Sequence, residues 1–212
     1  MADTIKHGHE IPTIDVAMIA IKKKTSSDTD IFILDTANKL GVNVQTETAD
    51  AVKLVVKGRL IAQKPEEVTI TGNTLVLTDN VFNPEVVKLL QGGTILYWAN
   101  EGHTSTQTTD AGYDVAQYAP PVAGSSDKGE VCVLMAYSAI YNAAGIITGY
   151  EKITYPNCTG TPVALSAEDG VFRAPEYTIY SAPDTGEAPY TIDYIGPNDL
   201  PTPTTVSSGS GT

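Results

Sequence analysis

Apolar residues recur along this chain in short runs, each closed by turn-forming residues. The runs fall at 14–21, 31–34, 52–57, 60–63, 68–70, 75–77, 95–99, 131–137, 150–154 and 177–181. Several are rich in β-branched residues. Residues 42–44 and 68–70 alternate apolar and polar side chains, the two-residue period of a half-buried strand. Residues 52–58 (V-K-L-V-V-K-G) follow T-E-T-A-D-A, which is compatible with the end of a helix. The Val55-Val56 pair before Gly58 favours a strand instead. Between 68–70 and 75–77 stands Thr71-Gly72-Asn73-Thr74, a Gly-Asn signal that predicts a tight hairpin.

One helix is marked at both ends. Asn83 is placed to cap it and Pro84 takes its first position, where a missing N–H costs nothing. Glu85 falls in the first turn, favoured by the helix dipole. Val86, Val87, Leu89 and Leu90 form an apolar face, and Gly92-Gly93 stop the helix. Many short strands around one helix predict a mainly β protein: a two-sheet β-sandwich or partial barrel, with a short flanking helix at about 84–91.

Two stretches break the rhythm. Residues 100–130 lack a sustained apolar period and are rich in Gly, Ser, Thr, Asp and Pro. A loop of that length usually has a function of its own or is a mobile linker, and the Tyr113, Tyr118 and Pro120-Pro121 in it suit a docking contact that orders on assembly. Residues 157–203 space prolines between aromatic and aliphatic side chains (Phe172, Tyr177, Tyr180, Tyr190, Ile192, Tyr194), the pattern of an extended C-terminal arm that docks. Residues 1–200 are therefore expected to form a single β domain with a long loop and an arm. Residues 204–212 carry almost no large side chains and are expected to be a disordered tail.

Composition narrows the function. A net charge of −12 over 212 residues argues against a protein that grips nucleic acid. Lys22, Lys23 and Lys24 form the main basic cluster and read as a solvated strand end. Tyr (11) outnumbers Phe (3) and Trp (1) together, which suits half-buried strands and wet interfaces. Cys132 sits in an apolar run and reads as a core residue. Cys158 sits in a turn-like Pro-Asn-Cys-Thr-Gly, and the sequence leaves open whether the two pair. No apolar segment follows Met1 as a signal peptide would require, and no run is long enough to span a membrane. The expectation is a soluble protein made in a cytoplasm.

No residues assemble convincingly into a catalytic, cofactor or metal site. His7-Gly8-His9-Glu10 offers ligand types without further ligands beyond His103. Asp110 and Asp114 form a carboxylate pair in a polar loop, with no apolar pocket to separate their pKa values. Asp28-Thr29-Asp30 lacks the glycine and glutamate of an EF-hand. The glycines fit neither a P-loop nor a dinucleotide fingerprint.

The passage E-V-T-I-T-G-N-T-L-V-L-T-D-N-V-F-N-P-E-V-V-K-L-L-Q-G-G (67–93) resembles the tail tube, or major tail, proteins of long-tailed bacteriophages of Gram-positive hosts. A weaker likeness continues through 161–201, with T-P-V-A-L-S-A-E-D-G-V-F and A-P-Y-T-I-D-Y-I. The shared motifs are structural. The resemblance implies a non-enzymatic subunit without cofactors, forming hexameric rings that stack into a tube through loops, hairpins and terminal arms. It also implies other tail proteins as partners and DNA passing down an acidic lumen without specific binding. The implied place is the virion tail, assembled in the bacterial host cytoplasm. An acidic wall would repel phosphate, so Lys22, Lys23 and Lys24 are expected to face out or into an inter-subunit contact. The competing readings are another β-sandwich assembly module, capsid-decorating or surface-exposed, and a β-sandwich hydrolase using Asp110, Asp114 or His103.

Overall fold

The computed structural model describes residues 11–25, 31–100, 102–104, 107–109, 114–164, 169–170 and 173–202. The described residues are mainly β, with a single helix. Thirteen strands run in chain order: β1 Thr13–Lys23, β2 Ile31–Leu34, β3 Ala37–Ala49, β4 Val52–Val56, β5 Arg59–Lys64, β6 Glu67–Asp79, β7 Thr94–Trp98, β8 Gln107–Thr108, β9 Val115–Ala119, β10 Cys132–Tyr141, β11 Ile147–Gly160, β12 Glu176–Ser181 and β13 Thr191–Ile195. The helix α1, Pro84–Gln91, separates β6 from β7.

Eight strands form the main sheet in the order β2-β1-β10-β11-β12-β6-β3, with β13 added alongside β11. Every pairing in it is antiparallel. β3 curls back to pack against β1, so the sheet is a partial barrel. A three-stranded sheet, β8-β7-β9, follows the helix, and β4-β5 form a separate hairpin.

The core lies between the concave face of the main sheet and α1. Ile19, Ile21, Leu75, Leu77, Leu134, Tyr177 and Ile179 meet Val86, Val87, Leu89 and Leu90 there. Met18, Ala20 and Tyr137 pack on the other face with Ile195 and Leu200. Burial on both faces explains why β1 reads as a continuous apolar run, Met18-Ile19-Ala20-Ile21, rather than an alternating one. The helix ends follow the sequence signals: Asn83 Oδ1 accepts from the N–H groups of Glu85 (3.0 Å) and Val86 (3.2 Å). The C-terminal end is tied down by Glu130 N–H donating to Leu89 O (2.8 Å) and Val163 N–H to Gln91 Oε1 (2.7 Å).

Three local expectations are corrected. Gly72-Asn73 makes no hairpin turn but lies inside the single thirteen-residue strand β6. Gly72 is there for space: a Cβ would stand 2.5 Å from Ser181 O. Asn73 is buried and donates to Pro189 O (3.0 Å), a tertiary contact that mimics a turn residue in sequence. Cys158 is likewise no turn residue. It lies in β11, opposite Cys132, just past a bulge at which Asn157 takes φ 49°. Both cysteines are buried free thiols. The loop at 100–130 contains β8 and β9, which pair with β7. Within the proline-spaced C-terminal stretch, β12 sits between β11 and β6 and β13 lines β11, so these segments are strands of the protein's own sheet.

Candidate assembly surface

The β3–β6 ladder does not stop where the core stops. Beyond Gln45 it continues through the pairs Thr46↔Ile70, Glu47↔Thr69, Thr48↔Val68 and Ala49↔Glu67. The chain then runs into the β4–β5 hairpin, closed by Lys57 (φ 47°) and Gly58 (φ 78°), two successive left-handed residues that match the twist of the flanking strands. Every residue from 52 to 71 is exposed, as is every residue from 42 to 50. The paired extension beyond Gln45 alone spans roughly 15 Å at the usual strand rise.

This arm is apolar without being buried. Val52, Leu54, Val55, Val56, Leu60 and Ile61 stand between 47% and 66% exposed, and Val68 and Ile70 at the arm's base are exposed too. Val55 and Leu54 are neighbours in one strand, so aliphatic side chains occupy both faces of the hairpin. An isolated two-stranded hairpin has no interior in which to bury them. A contiguous exposed apolar surface of this kind marks an interaction site.

A second exposed strip lies along β13, where Tyr190, Ile192 and Tyr194 are open to solvent. In register, Tyr194 opposes Glu151 and Asp193 opposes Lys152, whose ammonium is 3.7 Å from the Asp193 carboxylate.

The sequence-derived candidates separate. Lys23 and Lys24 are engaged within the chain: Lys23 with Glu130 (3.0 Å), Lys24 with Asp184 (2.7 Å) and with the Asn157 side chain. The hydrogen bond from Lys24 holds the Asp184 carboxyl below the usual carboxylate range, and the same bond raises the Lys24 ammonium. The basic run therefore staples the end of β1 to the C-terminal segment. His103 and Asp114 do meet, with Nε2 2.8 Å from Oδ2, and the His103 ring stacks on Trp98 at 5.6 Å. The pair lies open on the surface, with His103 at 48% and Asp114 at 67% side-chain exposure. His7, His9, Glu10, Asp28, Asp30, Asp110, Tyr113 and Phe172 lie outside the described residues. The Cys132 thiol is pushed well up, by its hydrogen bond with Cys158 and then by burial, which makes it a packing group rather than a nucleophile. Among the described residues no three His, Cys, Asp or Glu side chains are grouped to hold a metal ion, and no helix is long and apolar enough to cross a membrane.

Sequence reasoning missed the arm because residues 52–64 show the same apolar signature as buried strands. The available signal was charge. V-K-L-V-V-K-G-R-L-I-A-Q-K carries four bases and no acid, an unlikely content for two strands packed into a core.

No protein-family model matches the chain, and no curated protein matches it. Among solved structures it is similar to the tube-terminating cap of the anti-feeding prophage (14% identity, TM-score 0.39, 90% of this chain and 95% of that one). It is also similar to a chain of the sheath-tube complex of the extracellular contractile injection system PVC in its extended state (11% identity, TM-score 0.41, 89% and 93%). A third similarity is to a chain of the anti-feeding prophage baseplate (10% identity, TM-score 0.31, 92% and 98%).

Proposed function

We propose that this chain is a non-enzymatic structural subunit of a phage or phage-like tail, and specifically a tube subunit that forms stacked hexameric rings around a DNA-conducting lumen. The observation that carries the reading is the arm: a β3–β6 ladder prolonged beyond the core and ending in a hairpin with exposed aliphatic side chains on both faces. Such an element gains stability only by burial against another molecule, at about 25 cal/mol per Å² of apolar surface covered. The resemblance of 67–93 to tail tube proteins supports the same reading, since the start of that passage forms the base of the arm. The overall acidity fits a wall past which DNA slides. On this reading the partners are further copies of the chain and other tail proteins, and the subunit resides in the virion after assembly in the host cytoplasm.

Electron microscopy and native mass measurement of the purified full chain test the proposal. Rings of six, alone or stacked into tubes, are expected. A strictly monomeric species at high concentration, with and without partner tail proteins, would refute it. Trimers that never stack would instead favour a capsid-decorating or surface module.

A further inference from the structure

We infer that Cys132 and Cys158 are an oxidisable pair, which a hydroperoxide small enough to enter the core converts into an intrachain disulfide across β10 and β11. The two residues are opposed in the antiparallel register of those strands. Opposed residues stand about 4.5–5.5 Å apart at Cα, inside the range of about 4.4–6.8 Å that a disulfide spans. Both side chains face the same core, and their thiols hydrogen-bond to each other. The chain has no third cysteine to compete. The register places the pair in a row that crosses the main sheet: Lys23 of β1 opposes Cys132, Cys158 opposes Ser181 of β12, and Ser181 opposes Asn73 of β6. A bond there straps β10 to β11, the strand that holds β12 by only three register pairs.

The two sulfurs have unequal roles. The hydrogen bond from Cys132 holds the Cys158 thiol below its ordinary range despite burial, and the same contact, together with burial, pushes Cys132 up. Cys158 therefore attacks first and Cys132 resolves. The Cys158 thiolate bonds to one peroxide oxygen, the O–O bond breaks, and the leaving hydroxide takes the proton that Cys158 gave up. Cys158 is then a sulfenic acid beside a thiol, a pair that condenses to a disulfide. The Cys132 sulfur bonds to the Cys158 sulfur, the S–O bond breaks, and the second hydroxide takes the Cys132 proton. Two thiols and one hydrogen peroxide give one disulfide and two waters, with two electrons passing from sulfur to oxygen. The gate is size. Both cysteines are 0% exposed, so a bulky oxidant must wait for the strands to part. A chain folded in a reducing compartment keeps its thiols, and one moved to an oxidising exterior gains the strap after folding.

The test uses the full chain, dilute and fully reduced, treated with hydrogen peroxide. Intact mass after denaturation should fall by about 2 Da, and peptide mapping should join the Cys132 and Cys158 peptides within one chain. The melting temperature by circular dichroism should rise by about 5–15 °C and return on reduction. Oxidised glutathione should react at least about tenfold more slowly than peroxide, and low urea should narrow the gap. Cys132→Ala and Cys158→Ala, each checked for its fold, separate the roles. The first should leave Cys158 open to dimedone, a trap for sulfenic acid, and the second should leave Cys132 unlabelled. Peroxide that oxidises methionines while both thiols stay free would overturn the inference. So would a bond between chains, a melting temperature that falls on oxidation, or dimedone on Cys132 alone. Every readout is made on the unassembled chain, so the result is independent of the tube reading.

Discussion

Tyr177 shows how tightly single residues are constrained in this core. Its ring is fully buried, and its hydroxyl approaches the Asn83 backbone without making a regular hydrogen bond. Burial pushes its pKa up to about 12. An unpartnered buried hydroxyl costs stability, so Tyr177→Phe is expected to be neutral or to stabilise by about 1 kcal/mol at pH 7. Denaturant titration checks this, and a loss above about 1 kcal/mol would show a partner for the hydroxyl. The pH dependence has a definite sign. The folded pKa lies above the ordinary value of 10.0, so ionisation takes nothing from stability below pH 10, and stability is lost as pH climbs towards 12. Tyr177→Phe should flatten part of that alkaline decline. Leu89 is the apolar counterpart, buried on the inner face of α1. Leu89→Ala should cost on the order of 2–5 kcal/mol in the same titration, and a cost below about 0.5 kcal/mol would mean that the helix face is not packed.

At the scale of elements, β6 serves two environments. Its second half is core, its first half is arm, and Gly72 marks the crossing. Gly72→Val should force β12 away, because Ser181 O occupies the place of the new Cβ, with a loss of about 1–3 kcal/mol. Hydrogen exchange should locate that damage at residues 176–181, while the β4–β5 hairpin keeps its wild-type exchange. How legible each element was in the sequence follows from where its information lies. α1 carries its own caps, apolar face and stop, all within eleven residues, and it forms where those signals place it. β2 and β4 also form where their apolar runs lie. β9 is a five-residue strand recruited by backbone pairing to β7, and its own side-chain pattern scarcely announces it, whereas β13 and the residue before it carry the alternation Tyr190-Thr191-Ile192-Asp193-Tyr194 inside a stretch whose prolines hide it. The arm was legible as strands but not as an exposed device, because apolar periodicity reports what a side chain prefers and not whether this chain supplies the cover.

For the whole molecule, the main sheet is stitched from distant parts of the chain. β12, at 176–181, is the slat between β11 and β6, and among the described residues no other strand pairing joins the 37–79 half of that sheet to the 132–160 half. The slat is held on one side by only three register pairs with β11 and on the other by six with β6. A chain interrupted before residue 176 would therefore leave two part-sheets with β6 and β11 both showing raw edges. Such a truncation should yield an aggregation-prone species, retaining α1 signals by circular dichroism but lacking a cooperative melt. A truncation that melts cooperatively would show that the halves close without the slat. On the ribosome, this order makes closure a late event: β6 has been waiting for about a hundred residues before its neighbour emerges. During that interval the exposed arm is already made while the sheet that anchors it is still open. On the tube reading proposed above, growth of an assembly would wait for completion of the subunit, since β12, late in the chain, finishes the sheet from which the arm projects.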